Sequence, residues 1–222
     1  MTFESLIPGP CNRQALEAAL LAASNPGGDP LYIFGPAGTG KTHLLRAMED
    51  HIRRTRPELS VICILSEVFL AELIQAIHHD RRAEFDSRYH SAQVLLLDDL
   101  QFITDKETTF RTFQEICRAI QTRGGQVVVT ADRAPEDDFF SRGTVIRLEF
   151  PDPETRRKII AALSEEMDLP LEPEVAALLA ESFPGSVRQL TGAFQRLRAY
   201  RDLMDLPPTL ENAVAIWADI RE

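Results

Sequence analysis

Residues 35–42 read Gly-Pro-Ala-Gly-Thr-Gly-Lys-Thr, which fits the phosphate-binding P-loop pattern G-x-x-x-x-G-K-[ST]. The apolar run 31–34 before it predicts a buried strand, and the residues from His43 onward predict an amphipathic helix. In this context glycines let successive backbone N–H groups point at phosphate oxygens, beside a helix N-terminus that favours anions. The sequence therefore predicts a nucleoside triphosphate site on an α/β sheet.

The predicted nucleotide-binding segment is the loop together with the first residue after it. Lys41 is expected to reach the β- and γ-phosphates, and the Thr42 hydroxyl is expected to ligate Mg²⁺. The alternative is a glycine-rich turn that matches by accident, which the flanking strand and helix disfavour. The residues of the segment are Gly35, Pro36, Ala37, Gly38, Thr39, Gly40, Lys41, Thr42 and His43.

A second apolar run, 94–97, ends in two acids, Asp98 and Asp99, as a Walker B segment does. Asp98 would hold Mg²⁺ directly or through water, and Asp99 would polarise the attacking water. The alternative is a helix cap, but ligands bind at this edge of α/β sheets, which favours the functional interpretation. Thr130 and Asp132 end the next apolar run, where they either reach the γ-phosphate side of the crevice or belong to an ordinary polar loop.

The composition limits the classes of protein that fit. A chain of 222 residues suits one large α/β domain or a domain with a small satellite. The formal net charge of −10 disfavours strong autonomous binding to nucleic acid. Three widely spaced cysteines, no apolar run of membrane-spanning length and no signal-peptide pattern predict a cytoplasmic protein without a membrane segment.

Strands that alternate with helices predict a parallel sheet covered on both faces. The predicted strands are 31–34, 61–65, 94–99, 126–130 and 145–150, and residues 2–10 are predicted to be extended. After Pro151 and Pro153 only helices are predicted, at about 154–167, 173–182, 186–203 and 209–220. We therefore predict a nucleotide-binding αβα core over 1–150 and a helical domain over 151–222.

Several segments together resemble the AAA+ domain of the DnaA replication-initiator family. They are GPAGTGKTHL, SEVFLAELIQAI with FDSRYHSAQVLLLDDLQF, VVVTADRAP and GSVRQLTGAFQRLRAY. The opening TFESLIPGPCNRQAL is similar to the box that forms the family's adenine pocket. The resemblance covers nearly the whole chain, and it implies a P-loop NTPase with a five-stranded parallel sheet in an αβα sandwich and a C-terminal helical lid.

The resemblance also assigns roles to individual residues. It implies that Ile7, Pro8 and Asn12 bind the nucleotide from the opening box, that Asp132 is sensor 1 and that Arg188 is sensor 2. A guanidinium at the start of a lid helix can contact phosphate, whereas the alternative for Arg188 is a surface salt bridge. For the arginine finger that acts on a neighbouring subunit, Arg142 is the better candidate and Arg147 the weaker one.

The resemblance further implies an extra helix pair at about 69–89, which lines single-stranded DNA in DnaA. Initiators tend to place a basic DNA-contacting residue near position 108, where this chain has Glu107-Thr108-Thr109. We therefore expect weak binding of single-stranded DNA. No helix-turn-helix domain is found within the 222 residues, so the expected relatives are DnaA-derived regulators of the Hda type.

The expected function is ATP- or ADP-dependent control of replication initiation, with Mg²⁺, through assembly with DnaA-like AAA+ subunits or with further copies of the chain. Hydrolysis is expected to be slow or to depend on a neighbour's arginine. The alternative is a non-hydrolysing adaptor, or a helicase-loader-like protein that recruits a replication partner. A projecting Arg142 favours hydrolysis that depends on a neighbouring subunit, and a buried Arg142 favours the adaptor.

Overall fold

The computed structural model describes residues 1–218, so the last two residues of the helix predicted over 209–220 lie outside the described residues. Five strands are found among them: β1 (Leu31–Phe34), β2 (Val61–Leu65), β3 (Val94–Asp98), β4 (Gln126–Ala131) and β5 (Thr144–Arg147). The helices up to β5 are α1 (Arg13–Ser24), α2 (Lys41–Thr55), α3 (Ser66–His78), α4 (Arg82–His90), α5 (Gln101–Thr104), α6 (Glu107–Thr122) and α7 (Asp138–Ser141). The remaining helices are α8 (Pro153–Glu166), α9 (Pro173–Ser182), α10 (Val187–Met204) and α11 (Leu210–Ala218).

The five strands form one parallel sheet in the order β2-β3-β4-β1-β5. Every residue of β3 and β4 is buried, as their near-continuous runs of valine and leucine predict for strands covered on both faces. From β1 the chain crosses to the far edge at β2 and returns through β3 to β4, beside β1. Such a crossover opens a crevice at the carboxyl ends of the strands, which is where α/β sheets bind ligands.

Helices cover both faces of this sheet, because successive strand residues point to opposite sides. On one face Leu95 and Leu97 join the aromatic side chains of Phe69 and Phe113. On the other face Leu96 packs with the helices α1 and α2, whose buried residues include Ala15, Ala19, Leu45, Met48 and Ile52. The predicted five-stranded parallel sheet in an αβα sandwich is therefore confirmed.

The residue contacts divide the chain into two compact units. The second unit contains the chain from Glu149 onward together with Ile7–Cys11 and Ala37–Thr39. It has its own apolar core, which includes Ile160, Leu179, Phe194, Leu197 and Trp217. The Trp217 indole donates a hydrogen bond of 3.2 Å to the carbonyl of Ala193, so its polar atom is satisfied inside this core.

Two predictions about chain segments were wrong in detail. Residues 2–10 are not extended throughout, because Phe3–Ser5 form a 3₁₀ turn in which the Ser5 hydroxyl donates to the Thr2 carbonyl at 2.8 Å. The last strand was predicted to reach residue 150 but ends at Arg147. Glu149 then donates its N–H to the carbonyl of Cys11 at 3.1 Å, so the backbone has left the sheet.

The three cysteines are free thiols, and burial raises the pKa of each. For Cys63 burial, aided by the charge of Glu49, raises the pKa to about 12. These groups are thus protonated near neutral pH and are poor nucleophiles. Among residues 1–218 no helix combines the length and the apolar character needed to cross a membrane.

Candidate functional site

The P-loop connects β1 to α2, and its glycines are required by its geometry. Gly38 and Gly40 have φ angles of +79° and +100°, a region that side chains disfavour. A Cβ atom on Gly35 would lie 2.2 Å from the carbonyl oxygen of Leu148. The loop therefore turns sharply into the positive N-terminal end of α2, which is suited to an anion.

Lys41 is the first residue of α2 and is only 7% exposed. Its ammonium donates to the carbonyls of Gly35 at 2.7 Å and Pro36 at 3.0 Å, so the charge lies within the loop itself. Thr42 follows on the exposed side of the helix. The ring of His43, which was predicted to contact the nucleotide, has its Nε2 2.7 Å from the Ser5 hydroxyl.

The two acids after β3 differ in environment. Asp98 is 4% exposed, and its Oδ1 accepts a hydrogen bond from the Thr130 hydroxyl. Asp99 has a φ angle of +58°, which is uncommon for residues other than glycine and is often found at functional sites. Neither acid caps the following helix, because the N-cap residue of α5 is Leu100. The geometry thus disfavours the helix-cap alternative.

The turn at Asp99 is held by Ser66 and Gln101, which the sequence did not identify, and by Thr130, which the sequence did not connect to Asp99. Its carbonyl accepts a hydrogen bond of 2.6 Å from Ser66, and its Oδ1 accepts one of 3.0 Å from the Gln101 side chain. Its N–H donates to the Thr130 hydroxyl at 3.0 Å. The only sequence signal for these contacts is position: Ser66 and Thr130 stand at the carboxyl ends of the strands that flank β3.

Oxygen donors of two kinds are available for a divalent cation, the Asp98 carboxylate and the Thr42 hydroxyl. Both are hard ligands of the type that Mg²⁺ prefers, and Mg²⁺ is usually held by one or two carboxylates together with phosphate oxygens. Within residues 1–218 no group of three or more His, Cys, Asp or Glu side chains could hold a metal by itself. The donor set fits Mg²⁺ bound together with a nucleotide.

Asp132 and Arg142, the other predicted catalytic residues, lie at opposite edges of the sheet. Asp132 is exposed just after β4, where its carboxylate lies 4.0 Å from the guanidinium of Arg133. Arg142 is exposed at the end of α7, two residues before β5, and its guanidinium makes no hydrogen bond or ion pair with any described residue. Thr144 donates its N–H to the carbonyl of Pro30 at 2.8 Å, so Arg142 stands at the amino ends of the strands.

The P-loop and Arg142 therefore occupy opposite edges of the sheet. A strand of four residues spans about 13 Å, and both loops add to this distance. Arg147, the weaker finger candidate, is paired with Phe34 and stands at the P-loop edge. The structure thus places the two candidates at opposite edges of the sheet.

In the second unit the segment 37–39 packs on the start of α10. The carbonyl of Gly38 accepts a hydrogen bond of 3.0 Å from the N–H of Val187. The helix is capped by Ser186, whose hydroxyl accepts from the N–H of Arg188 at 3.1 Å. The Arg188 side chain is exposed and makes no ion pair among residues 1–218, which disfavours the surface salt bridge.

The residues of the predicted adenine pocket are divided between the units. Ile7, half-buried, and Pro8, exposed, belong to the second unit, and Asn12 belongs to the first. Asn12 is the N-cap residue of α1, but its side chain makes no capping hydrogen bond. The role of Asn12 in nucleotide binding stays a prediction.

The helix pair α3–α4 carries three arginines, 81, 82 and 88. Arg82 donates to Asp86 at 2.8 Å. Arg88 donates to Glu72 at 2.9 Å, and Glu72 also accepts a hydrogen bond of 2.6 Å from the Tyr89 hydroxyl. Two of the three positive charges are thus paired with acids of the same helix pair, which reduces the positive potential that this surface offers to phosphates.

Comparison with known proteins extends these observations. The family described as the bacterial DnaA ATPase domain matches residues 1–140. The chromosomal replication initiator protein DnaA of Chloroflexus aggregans is 37% identical over 230 residues, which cover 99% of this chain and 48% of the relative. The chain spans about half the length of the curated relatives it matches.

Two solved structures share the fold closely. Domain III of the Thermotoga maritima replication initiation protein DnaA has a TM-score of 0.94 and 33% identity, over 98% of this chain and 95% of that chain. The replication initiator DnaA bound to AMPPCP and single-stranded DNA has a TM-score of 0.82 and 32% identity, over 89% of this chain and 64% of that chain.

Proposed function

Since the chain belongs to the bacterial DnaA ATPase-domain family, we propose that it binds ATP or ADP with Mg²⁺ and controls replication initiation by nucleotide-dependent assembly. Its partners in that assembly are DnaA-like AAA+ subunits or further copies of the chain. The observation that carries the proposal is the buried Lys41 in a glycine-shaped loop, at the same sheet edge as the acids Asp98 and Asp99. A relative with this fold is bound to the ATP analogue AMPPCP.

Different residues of the site bind the phosphates, the metal ion and the attacking water. The N-terminus of α2 and the Lys41 ammonium bind the phosphates, and Thr42 and Asp98 hold Mg²⁺. A Mg²⁺ ion held by these two residues would supply positive charge that offsets the negative charge of the phosphates. Asp99 accepts a proton from the attacking water, and Asp132 has the sensor-1 position on the γ-phosphate side of the crevice.

The exposed Arg142 favours hydrolysis that depends on a second subunit. It stands at the sheet edge opposite the P-loop, so it can stabilise the transferring phosphoryl group only in a neighbour's site. Hydrolysis by one chain alone is then slow, and nucleotide acts mainly as an assembly switch. Ile7, Pro8 and Asn12 contact the base and Arg188 on α10 contacts phosphate. These contacts therefore depend on whether the chain's own nucleotide is bound.

Size-exclusion chromatography with light scattering tests the proposal directly. The chain is measured in ATP, in ADP and without nucleotide, each time with and without a full-length DnaA initiator. We expect a larger species in one nucleotide state, and calorimetry should detect ATP and ADP binding in the presence of Mg²⁺. The same mass in all states, with no heat of binding, would contradict the proposal. Assembly with bound nucleotide but without any hydrolysis would favour the adaptor.

A further inference from the structure

Two buried hydroxyl groups hold the turn that carries Asp98 and Asp99. Ser66, at the start of α3, and Thr130, near the end of β4, both have 0% exposure. The sheet register brings them there, since Leu65 pairs with Asp98 and Leu97 pairs with Val129. One residue further along each strand, Ser66 therefore stands beside Asp99, and Thr130 stands beside Asp98.

Thr130 uses its hydroxyl twice. The group donates its hydrogen to Oδ1 of Asp98 and accepts the N–H of Asp99 at 3.0 Å. The carbonyl of Thr130 also accepts the N–H of Leu100 at 2.8 Å. Because Oδ1 is fixed by this contact, the orientation of the Asp98 carboxylate is set, and its other oxygen remains for a ligand.

Ser66 contacts only the second acid. Its hydroxyl donates to the carbonyl of Asp99 at 2.6 Å, and Asp99 is the residue with the left-handed φ of +58°. The two buried hydroxyls therefore hold the same turn, but only Thr130 touches the carboxylate predicted to face the metal. This difference provides a matched pair of perturbations at one place in the fold.

We propose that Thr130 is a positioning residue for the Mg²⁺–nucleotide complex, because its hydroxyl orients the Asp98 carboxylate toward the metal or its bound water. Ser66 fixes the backbone of Asp99 and does not act on the metal. This inference rests on the proposed nucleotide binding and adds to it a group that supports the metal ligand. Such supporting hydrogen bonds typically contribute about 10- to 100-fold to metal affinity.

The test measures by calorimetry how much Mg²⁺ strengthens the binding of ATP. In Thr130→Val the side-chain shape is nearly kept and both hydroxyl contacts are lost, so the gain in affinity due to Mg²⁺ should fall about tenfold or more. Thr130→Ser keeps the hydroxyl and should restore the gain. Ser66→Ala removes one buried hydrogen bond of the same turn and should leave the gain as in the wild type.

Thermal unfolding of each variant verifies that it is folded, and Thr130→Ala replaces Thr130→Val if the latter is not. The inference would be overturned if Mg²⁺ strengthened ATP binding as much in Thr130→Val as in the wild type, or if Ser66→Ala lost as much of this effect as Thr130→Val. It would also be overturned if Thr130→Ser did not restore the effect, or if Mg²⁺ did not change the ATP affinity of the wild type. A wild-type chain that binds no ATP would instead refute the proposed function. The two failures are therefore distinguished by the wild-type titration.

Discussion

Replacement of Lys41 by alanine is the most direct perturbation of the site. The ammonium is 7% exposed and is held by two loop carbonyls, those of Gly35 at 2.7 Å and Pro36 at 3.0 Å. It has thus already lost most of its contact with water and is fixed inside the loop. Phosphate oxygens that enter the loop meet a preorganised cation, so little further ordering of the side chain opposes binding.

The magnitude follows from the contacts that are lost. A hydrogen bond to a charged group contributes about 1.5–3 kcal/mol. If Lys41 contacts both the β- and the γ-phosphate, the variant loses about 3–6 kcal/mol, which corresponds to a weakening of roughly two to four orders of magnitude. The loop carbonyls also lose a donor, but Pro36 is only half-buried, so water can replace it. The fold should therefore be retained.

Calorimetric titration with ATP and with ADP, together with thermal unfolding, measures both effects. Lys158→Ala is the matched control, since it removes one lysine charge from an exposed ion pair with Glu154 in the second unit. Its nucleotide affinity should equal that of the wild type. If a folded Lys41→Ala bound nucleotide as well as Lys158→Ala does, the assignment of residues 35–42 as a phosphate-binding loop would be wrong.

Three further predictions concern turnover, DNA and assembly. Asp99→Asn should keep ATP binding and lower turnover about 100-fold or more, because an amide cannot accept the proton of water, and turnover at the wild-type rate would leave Asp99 a structural role alone. Single-stranded DNA should bind with a Kd above about 1 μM at about 150 mM salt, because the chain carries a net charge of −10 and Arg82 and Arg88 are paired with acids. A submicromolar Kd measured by fluorescence anisotropy would contradict this. Arg142→Ala should leave the chain's own nucleotide affinity unchanged and lower the ATPase rate of a mixed assembly with a DnaA initiator about 1,000-fold, whereas unchanged hydrolysis in that assembly would remove Arg142 from the site.

Features set by local sequence were predicted well. Helix α6 follows from its local sequence, since its apolar residues recur with helical period and four of them, Phe113, Ile116, Cys117 and Ile120, are fully buried. The P-loop was predictable for the same reason, because its glycines, lysine and threonine act within one continuous turn. The formation of these elements depends little on contacts with distant segments of the chain.

Features set by contacts between distant segments were missed. The four-residue helix α7 was not predicted. It forms where Asp137 accepts the N–H of Phe140 at 3.0 Å while the Phe140 ring is buried in the core. Ser66 is an ordinary serine in the sequence. Its hydroxyl reaches the backbone carbonyl of Asp99 because β2 and β3 are neighbours in register, which periodicity alone does not reveal.

Topology separates Arg142 from Arg147, which the sequence alone does not. The two arginines are five residues apart and flank one short strand. In a parallel sheet all strands run the same way, so the residue before β5 stands at the amino edge and the residue that ends β5 stands beside Phe34 at the P-loop edge. An arginine at the P-loop edge stands on the side of its own subunit's phosphate-binding loop, whereas we propose that the exposed arginine at the amino edge acts on the site of another chain. Strand direction therefore makes Arg142 the candidate for action in trans, and the prediction for the mixed assembly depends on this geometry.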